Sequence, residues 1–172
     1  MDAWKAIDAV RVIRDFAERP ITAEHLERIL HAGRRTASAR NQQDWAFIVV
    51  RDRERLRGLS DVGRYADHLA GASLAVALVT HHEEGVEGRT RMWDLGRAAQ
   101  NMVLAAWELG IGSAPATVFD DELVRRTHGL PDGQDCQFLL SFGYPADRSA
   151  LTRPNSRGGR LPLASIVHEE CW

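Results

Sequence analysis

The sequence predicts an α+β domain with a small mixed sheet and a buried central helix. Three observations lead there. Three apolar runs of strand length, "WAFIVVRD", "SLAVALVTH" and "DCQFLLSFGYP", are spread along the chain. Helical patterns alternate with them, but without the regular rhythm of a doubly wound parallel sheet. One long helical pattern, "TRMWDLGRAAQNMVLAAWELG", is apolar almost all round its second half, which suits the centre of a fold rather than its surface.

The elements follow in order. "DAWKAIDAVRVIRDF" repeats apolar residues at Trp4, Ile7, Val10 and Ile13, a helical spacing. "RPITAEHLERILHAGRR" reads as a second helix, with Thr22 as N-cap, Glu24 in its first turn, Leu26, Ile29 and Leu30 facing inward, and Gly33 as a stop. The first strand is rich in β-branched residues. "DRERLRGLSDVGRYADHLAGA" predicts two short helices broken at Gly63, and the second strand follows. Glu83 to Gly88 reads as a flexible loop before the central helix, which Gly110 and Gly112 end, with "SAPATV" leading outward. "DDELVRRTHGL" is a further short helix, and Gly143 and Pro145 close the third strand. An arginine-bearing loop, "RPNSRGGR", then leads to a mostly apolar tail.

Length and composition narrow the classes. The 172 residues suggest one domain, residues 1–172, large enough for a substantial core. A net charge of −2 argues against a dedicated nucleic-acid binder, which would carry a basic excess. Lys5 is the only lysine, a skew best read as genome composition. Cys136 and Cys171 show no C-x-x-C spacing, and the first 30 residues show no export signal. Reduced thiols in a cytoplasmic protein are the expectation. No apolar run reaches the roughly 18 residues of a membrane span.

Nucleophilic and metal chemistry find little support. There is no G-x-S-x-G and no Walker loop, and "GIGSAPA" lacks the third glycine of a dinucleotide fingerprint and reads as a helix stop. "HHEE", His81 to Glu84, follows a strand and is several times better explained as a solvated strand end than as a metal site. Dispersed polar clusters remain. Arg11 and Arg14 are three apart, on one face if helical. Ser38, Asn41 and Gln43 gather before the first strand, and Arg153, Arg157 and Arg160 flank Gly158 and Gly159. Arginine forks suit phosphate, and side-chain amides match a ring edge that alternates C=O and N–H. Phosphate plus such a ring describes a flavin mononucleotide, although a single exposed arginine is usually just solvated.

With those residues in view, the chain resembles the FMN-dependent nitroreductase family almost end to end. "VRVIRDFAERPI" is similar to the family's first basic motif, R-R-S-x-R-x-F before Pro-Ile. "ASARNQQDWAFIVV" is similar to P-S-x-x-N-x-Q-P-W and its strand. "DLGRAAQNMVLAAWELGIGSAP", "FGYP" and "GRLPLASIVH" complete five ordered matches.

The resemblance implies a nitroreductase-like fold, a central mixed or antiparallel sheet flanked by helices, and an intertwined homodimer with FMN at the subunit interface. It implies that Arg11, Val12 and Arg14 meet the cofactor, Arg14 near N1 and O2 of the ring, where reduction places negative charge. It places Ser38, Asn41 and Gln43 at the flavin, partly across the subunit boundary. Pro115, Ala116 and Thr117 fall beside the ring, and Arg157 and Arg160 at the phosphate. Val10, Val12, Ala37 and Asp44 depart from the motifs, which shifts phosphate binding towards Arg11 and the late arginines. Little chain separates Val79 from Met92, where the family often shapes its substrate pocket. The implied activity is NADH- or NADPH-dependent reduction of nitroaromatics, quinones or another electron-poor acceptor, with no catalytic side-chain acid or base and no metal. The alternatives are a flavin-sequestering protein without turnover, or a flavin-dependent dehydrogenase of a biosynthetic intermediate. Trp93, Met102, Leu104 and Trp107 are expected to be inaccessible in the assembly.

Overall fold

Four strands form one fully antiparallel sheet in the order β1-β2-β4-β3 in the computed structural model, which describes residues 2–153 and 159–172. They are β1 (Ala46–Val50), β2 (Leu74–His81), β3 (Gly112–Thr117) and β4 (Gln134–Gly143). The helices are α1 (Ala3–Ala9), α2 (Ala23–Arg34), α3 (Arg53–Leu59), α4 (His68–Gly71), α5 (Gly85–Glu108) and α6 (Asp121–His128).

β2 shows why its sequence is apolar without alternation. Side chains of a strand alternate between the two faces of its sheet. Leu74, Val76 and Leu78 pack with Leu26, Ile29, Leu95 and Met102 of α2 and α5. Ala75, Ala77 and Val79 pack with Leu56, Leu59, Leu69 and Val124 of α3, α4 and α6. With both faces covered, every second position must be apolar on each side.

The predicted cap at Thr22 is present, and two more appear. Thr22 Oγ1 accepts the His25 N–H at 3.2 Å, and Asp52 and Asp120 cap α3 and α6 in the same way. Gly33, expected to stop α2, instead lies inside it and is buried. A Cβ there would come within 2.2 Å of the Met102 methyl, so its role is to let α2 approach α5.

Three further expectations are corrected. The opening helix stops at Ala9, and Val10 to Phe16 run extended. Val12 bridges Ser113 in parallel, and the Ile13 N–H donates to the Ser113 carbonyl at 2.9 Å. The β-branched run Val10, Val12 and Ile13 disfavours helix, and the open edge of β3 supplies backbone partners. Trp4 and Ile7, whose spacing is helical, lie on α1 but are 71% and 54% exposed. "GSAPAT" is an edge strand rather than a helix stop; proline is tolerated in a strand where no neighbour needs its N–H. The stretch Glu83 to Gly88 is largely helical, since α5 begins at Gly85. On the single chain Met102 and Trp107 are buried, Leu104 is half-buried and Trp93 is 70% exposed; the expectation for these residues concerned the assembly.

Buried histidines make a prediction about acid. The His128 ring nitrogens are both buried without a hydrogen-bond partner among the described residues, and burial, aided by Arg55, pushes its pKa down. His68 is shifted the same way by burial and then by Arg14. Each therefore binds a proton less readily folded than unfolded, so stability is full above about pH 6.5 and falls as pH drops below it. The urea midpoint of flavin-free protein should decline from pH 7.5 to pH 5.5, and His128→Gln should make that decline shallower.

Candidate flavin site

The extended segment 10–16, β3 and α5 enclose a cavity of about 500 Å³ that also receives Arg160. Arg11 and Val12 come from the segment, Ser113 and Pro115 from β3, and Gly96, Ala99, Gln100 and Val103 from α5. The segment can lie so close because residue 112 is glycine. A Cβ at Gly112 would stand 2.5 Å from the Ile13 Cβ.

Arg11 is held in place. Its Nε donates to the Ala9 carbonyl at 3.2 Å and its Nη1 to the Arg153 carbonyl. Its guanidinium lies 5.7 Å from the centre of the Trp107 ring, which is itself buried. Two arginines from opposite ends of the sequence thus share one cavity.

Arg14 does not join them. Arg11 and Arg14 share no helical face, because the segment is extended. Arg14 lines a second cavity, of about 680 Å³, with Tyr65, Asp67 and His68. Pro115 links the two, since it lines the first and its backbone contacts His68 of the second.

The amide cluster forms a separate feature. Ser38, Asn41 and Gln43 occupy a tight turn between α2 and β1, in which Ser38 Oγ accepts the Gln43 N–H at 2.9 Å. Gln43 Nε2 reaches the Asn41 carbonyl at 3.4 Å, and the Ala39 N–H donates to Asp94 of α5 at 2.7 Å. Arg40, Asn41 and Gln43 have φ of 51°, 56° and 51°, a left-handed backbone costing of order 1–3 kcal/mol each for non-glycine residues. Such strain marks a turn held for a purpose. The three residues do not line the cavity that holds Arg11 and Arg160.

Among the remaining expected residues, Ala116 turns its side chain into the core against α3 and α6, leaving only its backbone for a ligand. Thr117 ends β3 and is exposed. Arg157 lies outside the described residues. The histidines of "HHEE" pair with carboxylates at the end of β2: His81 Nδ1 lies 2.6 Å from Asp44, and His82 Nδ1 3.5 Å from Asp135. Sequence reasoning missed Gln100, Trp107 and His68. Gly96, Ala99, Gln100 and Val103 follow the i, i+3, i+4, i+7 pattern beside the buried stripe, so helical phase alone pointed to Gln100.

The residues fit a flavin mononucleotide. A dianionic phosphate needs cationic partners when buried, and Arg11 and Arg160 supply two. The walls of Ala99, Val103, Pro115 and Leu140 suit an apolar ring face.

Comparison with known proteins agrees. The Nitroreductase family profile matches residues 7–75 and 60–144. A protein of Archaeoglobus fulgidus named "Putative NADH dehydrogenase/NAD(P)H nitroreductase" is 33% identical, over 99% of each chain. The "FMN reductase (NADPH)" of Bacillus subtilis is 28% identical over 94% of this chain and 71% of its own. The crystal structure of the "Putative NADH Oxidase" of Clostridium acetobutylicum superposes with a TM-score of 0.82 at 28% identity, covering 97% of this chain and 99% of that one. The fold is the α+β fold of the nitroreductases, and the chain belongs to the nitroreductase family.

Proposed function

We propose that this chain takes hydride from NADH or NADPH onto FMN, releases the nicotinamide, and then reduces an electron-poor acceptor in the same pocket. Its class is that of an NAD(P)H-dependent flavin oxidoreductase; nitroaromatics and quinones are the acceptors we favour, in a cytoplasmic setting. The observation that carries the reading is the convergence of Arg11 and Arg160 on one apolar-walled cavity beside Pro115.

When bound, the flavin supplies the ring that accepts and gives up hydride. The chain supplies position and charge. Arg11, fixed by Trp107 and two backbone carbonyls, and Arg160 hold the phosphate end with charge-assisted hydrogen bonds. The β3 backbone at Pro115 to Thr117 borders the ring, with Arg14 at the pyrimidine edge. A cation there stabilises the reduced, anionic form. Arg14→Ala should therefore lower the flavin midpoint potential, with a smaller loss of affinity than at Arg160, read by dye-coupled redox titration.

The site is completed by a second copy of the chain. The amide turn does not line the cavity, and the tail leaves Leu161, Leu163, Ile166, Val167 and Trp172 exposed by 56% or more. A groove of about 580 Å³ between α2 and β1, walled by Leu26, Leu30, Trp45 and Phe47, is open to receive such apolar residues. An intertwined homodimer uses both features and brings Ser38, Asn41 and Gln43 to the partner's flavin. A flavin-binding protein that is monomeric by light scattering would sink the dimer.

Anaerobic stopped-flow mixing of FMN-loaded protein with NADH or NADPH tests turnover. Bleaching of the oxidised band, followed by its return on adding an acceptor, is expected. A band that stays yellow would point to flavin storage instead.

A further inference from the structure

His68 lies against the cavity that holds Arg14, and nothing in the reading above uses it. Its side chain is buried, with a relative exposure of 6%, and it lines that cavity with Arg14, Tyr65 and Asp67. One end of the ring is accounted for: Nδ1 lies 2.8 Å from Ser141 Oγ. Ser141 has a single hydroxyl hydrogen, which it donates to the Ala114 carbonyl at 3.2 Å. Its oxygen therefore accepts from His68, so Nδ1 carries the proton and Nε2 of the neutral ring is a bare lone pair. That Nε2 is buried with no hydrogen-bond partner among the described residues. A buried polar atom left in that state is unusual enough to need a reason.

We propose that His68 takes up a proton from solvent when the flavin bound beside Arg14 is reduced, so that the buried pocket gains no net negative charge. The proposal rests on the functional reading above. In the step, the nicotinamide C4–H bond breaks and its hydride, with both electrons, forms the N5–H bond of the flavin. The oxidised nicotinamide leaves, the flavin keeps one negative charge, and one proton passes from water to Nε2.

The surroundings of His68 suit this exchange. Arg14, on the extended segment, disfavours a second cation while the pocket is uncharged; burial does so more strongly. Asp67 on its own helix and the Pro115 backbone on β3 pull the other way. Proline has no N–H, so its contribution is the carbonyl, an acceptor that favours the protonated ring. Ser141 on β4 is neutral, and Tyr65 is the remaining titratable group lining the cavity. A negative charge arriving beside Arg14 offsets the cation that opposes protonation, and the balance moves towards imidazolium. Such a residue sets how strongly the flavin potential depends on pH. It acts through charge on the cofactor rather than by touching the acceptor.

The test uses the FMN-loaded protein with 13C-labelled histidine, its His68 resonance assigned by His68→Asn, which keeps a side-chain donor towards Ser141. His68 should titrate at a pH higher by about one unit or more in the reduced protein than in the oxidised protein. The midpoint potential of the wild type should show an inflection with pH that His68→Asn abolishes, while FMN affinity of that variant changes little. If His68 titrates at the same pH in both redox states, or if the inflection survives in the variant, the proposal is overturned. Should His68→Asn fail to fold, the wild-type titrations in the two redox states decide alone, with the resonance assigned through its proximity to Ser141. Protein that takes up no FMN would remove the functional reading and this inference together. FMN-bound protein with a redox-independent His68 would remove only the inference.

Discussion

Arg160→Ala is expected to weaken FMN binding by about 2–5 kcal/mol, on the order of 30-fold to several thousandfold in Kd. Arg160 reaches the cavity that already holds Arg11. Arg160 is exposed on the single chain, so the upper end of that range requires the partner subunit to enclose the phosphate; losing one of two cations would then leave charge without a counter-charge, which costs far more than loss of a solvated ion pair. Salt should not restore binding, because screening acts on exposed charges. Arg11→Ala should lose at least as much, since it also gives up the contacts to Trp107 and the Arg153 carbonyl. Arg126→Ala, on the exposed side of α6, is the control and should bind FMN normally. Fluorescence titration of flavin-free protein reads all three. Native affinity in both cavity variants would remove the phosphate assignment even with the fold intact.

Gly112→Ala is expected to cost about 1–3 kcal/mol of stability and to weaken FMN binding as well. The added Cβ would meet Ile13 Cβ at 2.5 Å and both of its γ carbons at 2.8 Å. Ile13 is β-branched and cannot swing aside as a longer, unbranched side chain could. The extended segment must therefore lift from β3, and it carries Arg11, Val12 and Arg14 with it. Gly58→Ala in α3 meets nothing within 4 Å and should be neutral or stabilising by about 0.5–1 kcal/mol. Urea denaturation separates the two variants. An unchanged midpoint in Gly112→Ala would mean that the contact does not hold the segment in place.

Much of the fold was legible because it depends on local pattern. The cap at Thr22, the break at Gly63, the short helix at "DDELVRRTHGL" and the three apolar strands are all short-range signals, and all are found. The misses share one cause. Residues 10–16 carry a helical apolar period and β-branched side chains at once, and the nearby edge of β3 decided between them. β3 itself, "GSAPAT", has little strand propensity and is a strand because β4 lies beside it in register from Gly112–Gly143 to Thr117–Phe138. Gly33 looked like a helix stop, and only the position of Met102 shows that it is a helix crossing.

The candidate site divides in the same way. The motifs resembling the nitroreductase family, in order along the chain, were readable, and with them the arginines, serine and amides proposed to meet the cofactor. Which of them meet was not. Arg11 and Arg160 share a cavity, Arg14 lines another with His68, and the amide turn, tied to Asp94 of α5, lines neither. By itself the sequence determined the identity of the elements and the chemistry they carry, because propensity, capping and charge act over a few residues. Only the tertiary structure decided that residues 10–16 form an extended strap, that β3 exists, and that His68 is buried beside Arg14. Those outcomes depend on backbone partners and burial supplied by segments distant in sequence, which no local pattern encodes.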